Sequence, residues 1–272
     1  MTPQSAALQI IILGSGTCVP SLVRSACAIL VSTGMQHILL DLGPGTLRRL
    51  LESGHLPDQI DHILLSHFHP DHSGELAAFL FASKYPEQHQ RQRPLHLAGG
   101  QGMADFFQRL EALYGHWIRL DEDLFRLTEW PPDPSAPMKT GEIEIRTAPV
   151  AHNPESVAIR ITDSAGRSVV YSGDTAPCDG LVSLAQNADM MICEAAIPPG
   201  QTGSGHLTPA QAGHMATRAG VRHLVLTHFY PECERADIAA DARRTWLGPL
   251  TLATDLLRLT VHPHETGSRG QH

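Results

Sequence analysis

Between Ser66 and Gly74 the chain reads SHFHPDHSG, which places His67, His69, Asp71 and His72 within six positions. A core tolerates imidazoles at that density only with partners, and a surface turn has no need of them. Imidazole nitrogen with one carboxylate suits zinc, iron or manganese better than calcium or copper(I). In a turn leaving a strand, alternate residues such as His67 and His69 can face one cavity, while Asp71 and His72 point to a neighbouring position. Pro70 and Gly74 shape that turn. So many donors in so short a stretch make more sense as two adjacent metal positions than as one.

Two positions need further ligands, and later parts of the chain offer them. His152 can complete the His67/His69 position, His228 the Asp71/His72 position, and Asp174 in YSGDT can bridge the two. The small Gly173 before it leaves room for close approach. Glu194, which ends another predicted strand, is a further candidate for chemistry, and Thr208 is a fair helix N-cap. The other histidines, His62 and His223 among them, read as structural, the last two on a face away from the metals. Arg24 could meet a phosphate, although a surface arginine is the simpler description.

These donors share a placement. LQIIILG, ACAILVS, HILLDLG and IDHILLSH read as strands, the last delivering the histidine cluster. EIEIRTAPVAH ends on His152, GRSVVYSGD on Asp174, ADMMICEA on Glu194 and VRHLVLTH on His228. SVAIRITD and GRSVVYSGD form a hairpin across SAG. Helical spacing appears in GTLRRLLESG, closed by Gly54, in GELAAFLFASKY, closed by Pro86, and in GMADFFQRLEALYG and TPAQAGHMATRAG. The proline-rich stretch from Glu129 to Gly141 is the seam between two halves. Strands interleaved with helices in both halves predict a layered α/β sandwich, and strand ends on one edge of a sheet can converge on one site. Residues 84–94 and 114–141 are candidates for its rim.

Composition excludes other classes. The 272 residues are 42% hydrophobic and 18% charged, as in a soluble globular protein, and no apolar run reaches membrane-spanning length. The first residues lack the basic start of a secretory signal. Five scattered cysteines form no CxxC pair, which indicates neither a disulfide framework nor a structural zinc knuckle and makes the cytoplasm the default. A net charge of −8 speaks against a broad nucleic-acid surface.

HFHPDH matches the HxHxDH signature of the metallo-β-lactamase-fold superfamily, and PVAH, SGDT and LTHF follow in the order of its remaining ligands. The resemblance runs from ILGSGT to LTHFYP. It implies an α/β fold, a four-layer αββα sandwich in one domain over residues 1–265 with a polar tail at 266–272. It also implies a dinuclear site held by His67, His69, Asp71, His72, His152, Asp174 and His228. Within the superfamily the chain is similar to ribonuclease Z, the tRNA 3′-processing endonuclease, and to its phosphodiesterase relatives. LGSGTCVPSLVRSACAILV resembles that branch's opening, with Pro20 and Arg24 in matching places; CEAAI resembles its acidic motif at Glu194, and GHLTPAQAGHMATRAGVRHLVLTHF its histidine motif at His206.

What the resemblance implies for chemistry is phosphodiester hydrolysis by two divalent ions, zinc first with manganese or iron also suited, through a bridging hydroxide. Asp71 would serve as ligand and proton acceptor, and His206, oriented by Glu194, would donate to a phosphoryl oxygen or to the leaving alkoxide. The expected substrate is a phosphodiester, small molecule or RNA, and the expected assembly a homodimer. One departure stands out: ribonuclease Z carries a long arm between the ligands matching His152 and Asp174, and here about twenty positions separate them. The alternatives are a tRNA 3′ endonuclease without the arm, a hydrolase of carbon esters, lactones or β-lactams, and a non-catalytic metal-binding module.

Overall fold

The computed structural model describes residues 7–85, 90–131 and 137–262. The first half supplies β1 (Leu8–Gly14), β2 (Ala28–Ser32), β3 (His37–Leu40), β4 (His62–Leu65), β5 (Leu95–Gly99) and β6 (Phe125–Glu129). The second supplies β7 (Met138–Thr140), β8 (Ile143–Pro149), β9 (Val157–Asp163), β10 (Ser168–Tyr171), β11 (Met190–Glu194), β12 (Leu224–Thr227) and β13 (Leu250–Leu252). A last strand, β14 (Leu257–Val261), returns to pair with β1, so each sheet has seven strands. The expected seam is where the chain passes from one sheet to the other, between Glu129 and Met138.

Both sheets follow one plan. In the first, the pairs from β14 through β3 are antiparallel and those from β3 through β6 parallel. In the second, β7 through β10 pair antiparallel and β10 through β13 parallel. Parallel neighbours need crossovers, and most of these carry helices: α1 (Thr46–Glu52), α2 (Pro70–Ser73), α3 (Leu76–Lys84) and α4 (Met103–Tyr114) in the first half, α5 (Asp179–Leu184), α6 (Pro209–Ala219) and α7 (Ile238–Arg243) in the second.

Alternation along each strand divides the apolar residues between layers. Leu8, Ile10 and Ile12 face the core between the sheets, whereas Ile11 and Leu13 face the helices of the first half. On β11, Met190 and Ile192 enter the shared core, and Met191 and Cys193 pack toward α5, α6 and α7. Three apolar layers between four structural ones make the αββα sandwich that was expected.

Elements that the sequence left unassigned lie mostly at sheet edges or are short. β6 and β7, inside the segment expected to rim the site, are edge strands of the two sheets. Their half-buried residues give no clear alternation. Pro86 and the tail from 266 lie outside the described residues, and α3 ends at Lys84. Among the described residues no helix is long and apolar enough to cross a membrane.

Candidate metal centre

The site lies where each sheet changes from antiparallel to parallel pairing, at the carboxyl ends of β3, β4, β10, β11 and β12. Strand ends in such a crevice are open to ligands because the connecting loops diverge there. After β4 the chain turns through His67 to His69 and enters α2 with Pro70 at its first position, where a missing N–H costs nothing. That single turn buries Asp71 and His72. It docks on the end of β3 through Leu42 N–H to His72 O (2.7 Å) and Glu75 N–H to Leu42 O (3.0 Å). Gly43 permits the contact, since a Cβ there would stand 2.1 Å from Asp71 O.

The donors expected from the sequence come together in two groups that share an acid. His67, His69, His152 and Asp174 form one, and Asp71, His72 and His228 the other, with Asp174 against both. In the second group His72 Nε2 stands 3.2 Å from His228 Nε2 and 3.3 Å from Asp174 Oδ1. His228 Nε2 lies 3.4 Å from Asp174 Oδ1 and 3.6 Å from Asp71 Oδ2. In the first, His67 Nε2 is 3.7 Å from Asp174 Oδ2, and His152 Nε2 is 3.3 Å from His69 Nδ1. Ligand atoms about 2.0–2.2 Å from a tetrahedral ion stand about 3.3–3.6 Å apart, so this spacing fits divalent cations.

Hydrogen bonding outside the cluster sorts the two nitrogens of His72, His152 and His67. His72 Nδ1 donates to Asp41 Oδ2 at 2.7 Å and leaves Nε2 inward. His152 Nδ1 donates to Gly205 O at 2.9 Å, and His67 Nδ1 to Ser66 Oγ at 3.0 Å, that hydroxyl in turn donating to Asp41. In the neutral ring each such bond leaves the other nitrogen free to ligate at the centre. His67 Nε2 and Asp174 Oδ1 are buried with no hydrogen-bond partner, as is His228 Nδ1. Nitrogen lone pairs facing one another and a carboxylate are stable only with positive charge between them.

Electrostatics agree. Burial, with the His72 charge nearby, pushes His67 down to about 2, so its imidazole stays neutral and able to ligate. Burial alone would raise Asp71 and Asp174; the neighbouring histidines, His228 first, reverse this and hold Asp71 at about 2 and Asp174 well below the carboxylate range. His72 opposes the same burial and is held well above its ordinary value by Asp174 and Asp41. The carboxylates draw positive charge to this point, and a dication answers that demand better than a proton does.

Glu194 and His206 stand beside the cluster. Glu194 is fully buried, accepting from Thr175 N–H and His206 Nδ1 through Oε1 (both 2.9 Å) and from Ala196 and Leu207 N–H through Oε2. His206 Nδ1 also lies 4.0 Å from Asp174 Oδ2. Thr208 caps α6 in a box with Gln211, so the helix role and the site role fall on neighbouring residues. Arg24 takes the structural role: it pairs with Glu234, donates to Ser15 Oγ and Ala253 O, and covers the Phe229 ring. His62 meets Gln36 and His223 meets Thr251, both away from the cluster.

Sequence reasoning missed Asp41, Ser66, Asn153 and Tyr171. Asp41 accepts from Ser66 N–H and Oγ, from His72 and from the Tyr171 hydroxyl (2.6 Å), which ties the two sheets together beneath the site. Its signal was present, an acid closing a buried apolar run, as at Asp174 and Glu194. The Asn153 side-chain amide lies 3.0 Å from His69 Nε2.

Comparison with known proteins agrees with this fold. A sequence model described as the beta-lactamase superfamily domain matches residues 36–229. The chain is 37% identical over 218 residues to Uncharacterized protein Rv1339 of Mycobacterium tuberculosis, covering 78% of this chain and 77% of that protein. It is 32% identical over 279 residues to Ribonuclease Z of Mycobacterium bovis BCG, covering 94% and 99%. The crystal structure of the metallo-beta-lactamase fold protein YhfI from Bacillus subtilis shares the fold, with a TM-score of 0.78 at 24% identity over 93% of this chain and 99% of that one. With the fold, the paired donor groups and these relatives in agreement, the chain is a metal-dependent hydrolase that belongs to the beta-lactamase superfamily, in its ribonuclease Z-like branch.

Proposed function

We propose that this hydrolase is a phosphodiesterase working on a small phosphodiester, with two divalent cations, zinc in the first instance. His67, His69 and His152 would hold one ion, Asp71, His72 and His228 the other, and Asp174 both. When bound, such ions supply charge for the phosphoryl oxygens and acidify an attacking water. The observation that carries the reading is the His206–Glu194 pair. A buried carboxylate 2.9 Å from His206 Nδ1 fixes the ring and favours its charged form, leaving Nε2 as the nitrogen that would donate to substrate. That is the role of an acid for an alkoxide leaving group or a donor to a phosphoryl oxygen. Asp71 lies beside both His72 and His228, and would take the proton of the water.

A second reading, tRNA 3′ processing, is favoured by the likeness to Ribonuclease Z over nearly the full length of both chains. Against it stands the segment between His152 and Asp174, spent on the β9–β10 hairpin with Thr162 opposite Ser168, together with the net charge of −8. We infer a cytoplasmic homodimer for either reading; the cysteines, free of disulfides, suit a reducing compartment.

Metal-reconstituted protein assayed against phosphodiester, phosphomonoester, lactone and thioester substrates tests the first reading, which expects turnover of bis(p-nitrophenyl) phosphate above the others. Site-specific cleavage of a precursor tRNA at far higher kcat/KM would decide for the second.

A further inference from the structure

From the metal cluster a groove of about 480 Å³ runs outward between the loop from Thr17 to Ala26 and the start of α1, with Asp71 at its inner end. That volume is in the range of sites for a single small molecule, about 300–1,000 Å³. Val19, Pro20, Leu22 and Pro44 give it an apolar wall. Leu22 is fully exposed and Val23 beside it is 68% exposed. Arg48 also lines the groove, 82% exposed, its Nε on Glu52 and its terminal N–H groups open to an anion.

The loop is held rather than loose. Ser21 Oγ accepts from the Val23 and Arg24 N–H groups, the Arg24 guanidinium is pinned to Ser15, Ala253 and Glu234, and Ser25 N–H donates to Asp255 at 2.7 Å. A single exposed leucine is ordinary. Here a braced loop keeps several apolar side chains in water along a groove that opens onto the candidate proton acceptor, Asp71. Nothing in the fold gains from that exposure, whereas a ligand covering it would.

We propose that this groove seats a planar apolar ester group of the substrate, an aryl ring or a nucleobase-sized ring, against Val19 and Leu22, with Arg48 attracting the anion. The inference rests on the phosphodiesterase reading and deepens it. The groove meets the metal positions at Asp71, and His206 is not part of it. The leaving group belongs beside His206, so the ring in the groove is the ester group that stays on phosphorus. Val19 and Leu22 are thereby specificity-determining residues.

Bis(p-nitrophenyl) phosphate and methyl p-nitrophenyl phosphate share a leaving group and differ only in the retained one. In the metal-loaded protein, Leu22→Ser and the double variant with Val19→Ser should raise KM for the bis-aryl ester about tenfold, the scale of a lost apolar pocket contact. KM for the methyl ester and kcat for both should hold. Equal effects on the two esters, or none on either, overturn the groove assignment while leaving the phosphodiesterase reading in place. Wild-type protein that cleaves neither ester overturns that reading, and the groove assignment with it.

Discussion

The Asp41 carboxylate lies 2.7 Å from Nδ1 of His72, and neither side chain reaches solvent. Through the same carboxylate pass the Ser66 contacts and the Tyr171 hydroxyl, so one acid from the first sheet orients a candidate ligand and anchors to the second. Asp41 holds a left-handed backbone with φ 59°, a conformation that Asp and Asn accept more readily than other side chains. Asp41→Asn therefore keeps the turn and removes the charge behind His72. Metal affinity should fall about 10- to 100-fold, as for other partners behind a metal-binding histidine. Chelator competition measures it; unchanged affinity would refute the orienting role.

The two proposed metal positions should not be equivalent. Asp71, His72 and His228 are all buried and add a second carboxylate to the shared Asp174, with Asp41 behind them; the other position has three imidazoles beside Asp174, and His69 among them is exposed. Titrating loaded protein with a chelator should remove one equivalent well before the other. Asn153→Asp puts a carboxylate behind His69 and should tighten the weaker position by about tenfold. Simultaneous loss of both equivalents would sink this asymmetry.

The layered fold and the cluster were legible because their signals are local and redundant. Continuous apolar runs such as LQIIILG mark strands covered on both faces, and the donors stand at their ends. Tertiary partners were harder to see. Asp41 is a single acid inside HILLDLG, and only the approach of His72 and Tyr171 from distant segments gives it a role. Asn153 carries no pattern at all. Its meaning depends on where the turn to Ser156 points it, toward His69. The groove beside Asp71 was equally hidden, because VPSLV reads as a loop and its exposure is a property of the folded chain.

Gly173 offers a test that touches no ligand. Its φ is +57°, and a Cβ would stand 2.7 Å from Ser66 Cβ and 3.0 Å from Ser66 Oγ. Gly173→Ala meets both backbone strain, about 1–2 kcal/mol for a left-handed residue, and a clash with the serine that bridges Asp41 and His67. The variant should melt a few degrees lower and bind metal more weakly, because Ser66 must move. A variant that melts lower yet keeps wild-type metal affinity would separate the strain from the site and contradict that coupling.

The pH profile isolates the proposed acid. Burial lowers the His206 pKa, but the hydrogen bond and charge of Glu194, helped by Asp174, more than reverse this and leave it above the ordinary value of 6.5. The protonated form is the donor, so the rate should fall as pH rises through that elevated pKa. Glu194→Gln removes the main raising influence and leaves burial, which moves the alkaline limb to lower pH. Loss of folded protein scales the whole profile without moving the limb, so the shift reports on His206 itself. Substrate choice sharpens the test: an alkoxide leaving group needs the proton, and p-nitrophenolate does not. His206→Ala should lower kcat by about 10²–10³ for an alkyl leaving group, the loss expected of a preorganised donor, and much less for the nitrophenyl ester. An alkaline limb that stays in place in Glu194→Gln, or equal losses for the two leaving groups in His206→Ala, would remove His206 from the acid role and return the pair to a purely structural one.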